Sequence, residues 1–127
     1  MSEEMNCPKP GEFSWNELVT QDVDASKKFY SSLFGWKPET FGGPASDYIL
    51  FKQADTMIGG LMKCPQPGLP THWLAYVTVE DVDATAVQAK KLGARIVVEP
   101  FDIPTVGRIA VLVDPQGAAI GLFKPKM

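Results

Sequence analysis

Asp22-Val23-Asp24-Ala25-Ser26 decides how this chain is read, because nearly the same five residues return as Asp81-Val82-Asp83-Ala84-Thr85. The return lies 59 positions on, from Asp22 to Asp81. A second echo, Gly60-Leu61-Met62-Lys63 against Gly121-Leu122-Phe123-Lys124, lies 61 on. Two echoes at nearly one spacing, one ahead of a helical pattern and one closing a strand pattern, mark a duplication of a module of about sixty residues. Each copy of the acidic run has a local task. An Asp just before the first helical turn accepts a hydrogen bond from a backbone N–H that the helix leaves unused, and a second Asp inside that turn is favoured by the helix dipole. Asp22 and Asp81 are therefore expected N-caps, with Asp24 and Asp83 in the first turns.

Working outward from the first run, Phe13, Trp15, Glu17 and Val19 alternate with Ser14, Asn16, Leu18 and Thr20. A period of two is a strand, and it puts Trp15 and Glu17 on one face. From Val23 the spacing turns helical, with Val23, Ser26, Tyr30 and Leu33 on one stripe, Phe29 beside it and Gly35 as a natural stop. Strands are then expected at 36–41, 47–52 and 56–63, separated by turn signals at Gly42-Gly43-Pro44 and Gln53-Ala54-Asp55. Gly59 and Gly60 weaken the last of these strands, which suggests a bulge or a place where another group comes close to the backbone.

The first module, about 11–63, thus reads βαβββ, and the proline-dense stretch 64–71 is the linker. The second module, about 72–124, repeats the order: a strand at 73–79, a helix at 82–92 ended by Gly93, a strand at 94–99 and a final hairpin. Asp114-Pro115-Gln116-Gly117 is the turn between the hairpin strands 108–113 and 118–124. Val82, Thr85, Ala89 and Leu92 form the second helical stripe. Helices this short bury their apolar side against a sheet, so the expected class is α+β, a single domain of two curled mixed sheets with one main helix each.

Composition narrows the partners. Twelve basic residues against fifteen acidic ones, with the basic residues scattered, leave no footprint for nucleic acid. No apolar run approaches the roughly 20 residues needed to cross a membrane. The opening residues are acidic and proline-rich, without the build of a signal peptide, and Cys7 and Cys64 match no CxxC pattern. A cytoplasmic protein with two reduced thiols is the expectation.

Three runs carry a family resemblance: Trp15-x-Glu17-Leu18-x-Thr20-x-Asp22, then Phe29-Tyr30-x-x-Leu33-Phe34-Gly35-Trp36, and Gly107-Arg108-x-Ala110-Val111-x-x-Asp114-Pro115-x-Gly117. With the tandem βαβββ order they resemble the vicinal oxygen chelate superfamily, which contains glyoxalase I, bleomycin resistance proteins and extradiol dioxygenases. The resemblance covers about 11–124 and is closest to a glyoxalase-like branch often labelled as hydroxylases. It implies that the strands curl into a cup. In that cup a metal, when present, is held by His or Glu at four positions, which fall here on Trp15, Gly60, Leu74 and Gly121. None of these side chains ligates Fe, Zn or Ni, so no metal or other cofactor is expected.

The remaining candidates leave alternatives open. His72 and Glu17 could form a shifted metal site, or His72 could be an exposed residue at the end of the linker. Glu17 stands either at a pocket wall or beside a buried base, because an isolated buried charge is too costly. Arg108, equivalent in the duplication to Asp47, is either a surface residue or a partner for Glu17 or for an anionic ligand group. The leading reading is a small-molecule binder whose cup is lined by Trp15, Leu74 and Tyr76, with His72 and Arg108 as further ligand contacts. Glu17 is its candidate catalytic or orienting residue. A metal-dependent lyase, isomerase or dioxygenase is the alternative, and a non-catalytic interaction module the second. Curled half-sheets expose edges, so a homodimer is expected.

Overall fold

The computed structural model describes residues 8–41, 48–64, 70–103 and 106–126. Cys7, the turn at 42–44, Asp47 and the central linker residues 65–69 lie outside the described residues. The element order is β1 (Phe13–Thr20), α1 (Val23–Phe34), β2 (Lys37–Phe41), β3 (Tyr48–Gln53), β4 (Thr56–Lys63), β5 (His72–Thr78), α2 (Val82–Lys91), β6 (Arg95–Ile103), β7 (Gly107–Val113) and β8 (Ala119–Pro125). It is the α+β, twice-repeated βαβββ order that the sequence predicts. The chain divides into two compact units, Trp15–Leu74 on the one hand and Met1–Ser14 with Ala75–Met127 on the other.

In the unit Trp15–Leu74 the strand order is β2-β3-β4-β1, with β1 parallel to β4 and the other neighbours antiparallel. The period of two sends Leu18, Ile49, Phe51 and Leu61 to the face under α1, where Val23, Tyr30, Trp36 and Ile58 pack on them. Tyr30 is the hub of this layer. Its ring stacks on Trp36 at 5.7 Å between centroids and meets Trp73 edge-on at 5.4 Å, and the Trp73 Nε1–H donates to its hydroxyl at 3.1 Å. The opposite face carries Glu17, Gly60 and Leu50 in one row across three strands.

The second unit repeats the arrangement as β6-β7-β8-β5, again with one parallel pair, β5 with β8. Val82, Ala86, Ala110, Leu112 and Leu122 form its core between α2 and the sheet. On the other face Tyr76, Gly121 and Val111 make the corresponding row.

Both helices begin as the acidic runs predict. Asp22 Oδ1 accepts the Ala25 N–H at 3.0 Å, and Asp81 Oδ1 accepts the Ala84 N–H at the same distance. Gly35 ends α1 in the left-handed region, at φ 76°, with its N–H on the Ser31 carbonyl. The predicted apolar stripes pack on the sheets at Val23 and Tyr30 of α1 and at Val82 and Ala89 of α2, but Leu33 and Leu92 are exposed, and Ala86, outside the predicted stripe, is buried. Each of the two leucines sits close to a helix end, where the chain must turn away from the sheet. β6 runs on through Pro100 to Ile103, past the predicted end at 99. It is an edge strand with register shifts on both sides of Val98, so a missing N–H there breaks no central ladder.

No helix among the described residues is long and apolar enough to cross a membrane. The capping geometry sets a quantitative expectation: Asp22→Ala and Asp81→Ala each lower unfolding free energy by about 1 kcal/mol in denaturant melts. Binding at the opposite sheet face should be unaffected in both variants.

Candidate functional site

Glu17 is 3 % exposed and lies at the centre of the β1 face turned away from α1. A carboxylate this deep requires strong hydrogen bonding to persist in charged form. Tyr48, at the start of β3, supplies part of it by donating its hydroxyl hydrogen to Glu17. The same oxygen accepts the Trp15 Nε1–H at 2.9 Å. The donors therefore run in one direction, from indole N–H to phenol oxygen and from phenol O–H to carboxylate. Burial first, and then the negative charge of Glu17, raise the Tyr48 hydroxyl far above its ordinary pKa, so it stays a neutral donor.

What makes room for this arrangement is a glycine. Gly60 pairs with Glu17 in the parallel β1–β4 ladder and with Leu50 in the antiparallel β3–β4 ladder. A methyl group built on Gly60 would land on the Tyr48 hydroxyl, and one on Gly59 would press on the Asn16 carbonyl at 2.9 Å. The close approach that the glycine pair suggests is thus made by a tyrosine. The second unit has the same device in another form. Gly121 pairs with Tyr76, and a methyl group on Gly121 would run into the Tyr76 ring, which is 2 % exposed.

The structure brings Trp15 and Glu17 together through Tyr48, a residue the sequence reading did not single out. Its signal was the period of two from Leu50, which sets Tyr48 on the Leu50 face of β3. His72 is half-buried at the start of β5, and its Nδ1–H donates to the Pro70 carbonyl at 2.9 Å. Leu74 is buried, as is Tyr76 over Gly121.

Arg108, for which a surface place, a ligand contact and a partnership with Glu17 all stood open, takes part in an ion-pair cluster. It holds Asp83 with two bonds, Nε to Oδ1 at 2.6 Å and Nη2 to Oδ2 at 3.1 Å, and reaches Asp102 through Nη1 at 3.0 Å. The cause is strand geometry. Arg108 shares its face of β7 with Ala110 and Leu112, which lie under α2, and Asp83 stands in the first turn of α2. The Arg108 guanidinium holds the Asp83 carboxyl below the usual carboxylate range, chiefly through this fork of hydrogen bonds.

The residues at the four metal positions do not fit a transition metal. Trp15 offers only an N–H donor, Leu74 no polar atom, and Gly60 and Gly121 have their side-chain space taken by Tyr48 and Tyr76. Beside Gly60 the donor set is one carboxylate and one phenol held neutral, short of the three or four imidazole, thiolate or carboxylate ligands such ions take. Among the described residues no three His, Cys, Asp or Glu side chains cluster as a metal site. Two concavities among the described residues lie against α1, one of about 590 Å³ lined by Phe29 and Leu33 among others, and one of about 350 Å³ lined by Leu18, Thr20, Ser26, Tyr30 and Thr71. In the second, the Thr20 and Ser26 hydroxyls bond each other at 2.9 Å.

Comparison with known proteins bears on the family and the fold. The protein named "Putative glyoxylase CFP32" from Mycobacterium bovis is 43% identical over 116 residues, covering 91% of this chain and 44% of that protein. The anthracycline biosynthesis protein DnrV of Streptomyces peucetius is 29% identical over 130 residues, covering 91% of this chain and 47% of its own. The chain thus spans about half the length of the curated relatives it matches. Among solved structures, the Mn(II)-bound glyoxalase from Novosphingobium aromaticivorans shares the fold at a TM-score of 0.58 and 19% identity, over 91% of this chain and 39% of that one. The family model for the glyoxalase, bleomycin resistance protein and dioxygenase superfamily matches residues 12–122, and the chain belongs to that superfamily.

Proposed function

We propose that the chain binds a small, oxygenated aromatic molecule on the Trp15–Glu17–Tyr48 face without using a transition metal. The observation that carries this reading is the buried Glu17 carboxylate, hydrogen-bonded by a neutral phenol on a face that also presents the Trp15 ring. Taking a carboxylate out of water costs several kcal/mol before its hydrogen bonds are counted. Such charges collect at sites where they do chemistry or orient a ligand.

Trp15 and Tyr48 are half-buried and supply aromatic surface, and Glu17 supplies the charge that orients a polar group of the ligand or takes a proton from it. A relative named for anthracycline biosynthesis suggests the probe, a flat polyaromatic carrying several hydroxyl and carbonyl oxygens. The proposal includes a cytoplasmic homodimer. Phe29, Leu33 and Phe34 of α1 are each more than half exposed, apolar surface that a second chain could cover.

Two measurements test the reading. Titration of daunorubicin, followed by its own fluorescence and by the Trp15 indole N–H signal in NMR spectra, should show saturable binding that moves that signal. Glu17→Gln should weaken it about tenfold or more, as expected for loss of a charge-assisted hydrogen bond, with a small change in melting temperature. Binding that ignores the substitution, or that leaves the Trp15 signal in place, contradicts the proposal. Sedimentation at high micromolar concentration should give the mass of two chains, and the mass of one chain would remove the dimer from it.

A further inference from the structure

We propose that Tyr48 is the positioning residue of this site, and that Gly60 is the glycine that lets it act. The inference rests on the reading of Glu17 given above and goes further in naming what holds that carboxylate in place. Three observations meet at one point. Glu17 and Gly60 are direct partners in the β1–β4 ladder, so a side chain on Gly60 would rise beside the carboxylate. The volume of that side chain is taken by the Tyr48 hydroxyl. That hydroxyl is fixed from both sides, as acceptor of the Trp15 Nε1–H at 2.9 Å and as donor to Glu17.

A carboxylate on a strand has free rotation about its last bonds until something selects one orientation. Tyr48 does so with a donor whose own direction is set by Trp15, and the rigid phenol ring leaves little slack. Tyr48 thereby does for Glu17 what a supporting hydrogen bond does for a metal-binding side chain: it fixes the rotamer. Tyr48 and Gly60 are two halves of one device. A larger residue at position 60 would push the hydroxyl away, and a phenylalanine at position 48 would keep the ring but lose both hydrogen bonds.

The test is a double-substitution cycle read with daunorubicin as probe and the Trp15 indole N–H signal as a spectroscopic marker. Tyr48→Phe should move the Trp15 signal in the unliganded protein, since its acceptor is gone, and weaken probe binding about tenfold. Gly60→Ala should do the same by displacing the hydroxyl, which gives a second route to the answer if either variant folds poorly. The deciding result is the double variant Glu17→Gln with Tyr48→Phe. If Tyr48 acts through Glu17, the double variant binds no more weakly than Glu17→Gln alone. Losses that simply multiply would show Tyr48 acting independently of Glu17, and would overturn the inference. Wild-type affinity in Tyr48→Phe and Gly60→Ala alongside weakened Glu17→Gln would also overturn it while leaving the proposed function intact. Wild-type affinity in Glu17→Gln would remove the proposed function itself.

Discussion

The hydrogen bond from Tyr48 to Glu17 over a side-chain-free Gly60 is the constraint on which the proposed site depends. It joins β3, β4 and β1 at one point and explains features that are otherwise unrelated. Glycine in a central strand weakens it, and Gly60 is tolerated because its missing side chain is replaced by another residue's hydroxyl. A buried carboxylate is costly, and Glu17 is tolerated because a donor meets it there. Trp15 keeps its indole N–H satisfied in the same contact.

The two units share one topology, and their corresponding faces differ. Each has a parallel pair between its first and last strands, and each sets a glycine, Gly60 or Gly121, in the row at the middle of that face. In one unit the glycine is covered by a hydroxyl in a polar chain, and in the other by the Tyr76 ring itself. At two of the four positions where the superfamily resemblance implies metal ligands, Gly60 and Gly121, the side-chain space is taken by tyrosines, Tyr48 and Tyr76. Tyr48 hydrogen-bonds a carboxylate, and Tyr76 lays its ring over the glycine.

How much of this could be read from sequence depended on whether the contact was local. The N-caps at Asp22 and Asp81 were legible because a cap and its N–H lie three residues apart. The face shared by Trp15 and Glu17 was legible because a strand alternates strictly. The partner of Glu17 was not, since Tyr48 reaches it only through strand pairing, although Gly59-Gly60 did announce a close approach. The place of Arg108 stayed open for a different reason. The run from Ile109 to Val113 is apolar throughout, so alternation could not say which side of β7 faces α2. The length of β6 was cut short at Pro100 because only the sheet order shows it to be an edge strand.

The central claim is that the Trp15–Tyr48–Glu17 cluster, and no metal ion, provides the polar centre of this protein. Its most direct test is to purify the chain without a metal-affinity tag and to measure daunorubicin affinity before and after exhaustive dialysis against chelator, then again with Mn, Fe, Ni or Zn restored. The account predicts one affinity under all these conditions and no tightly held transition metal by elemental analysis. Binding that is lost on chelation and regained with one of these metals at stoichiometric occupancy would contradict it.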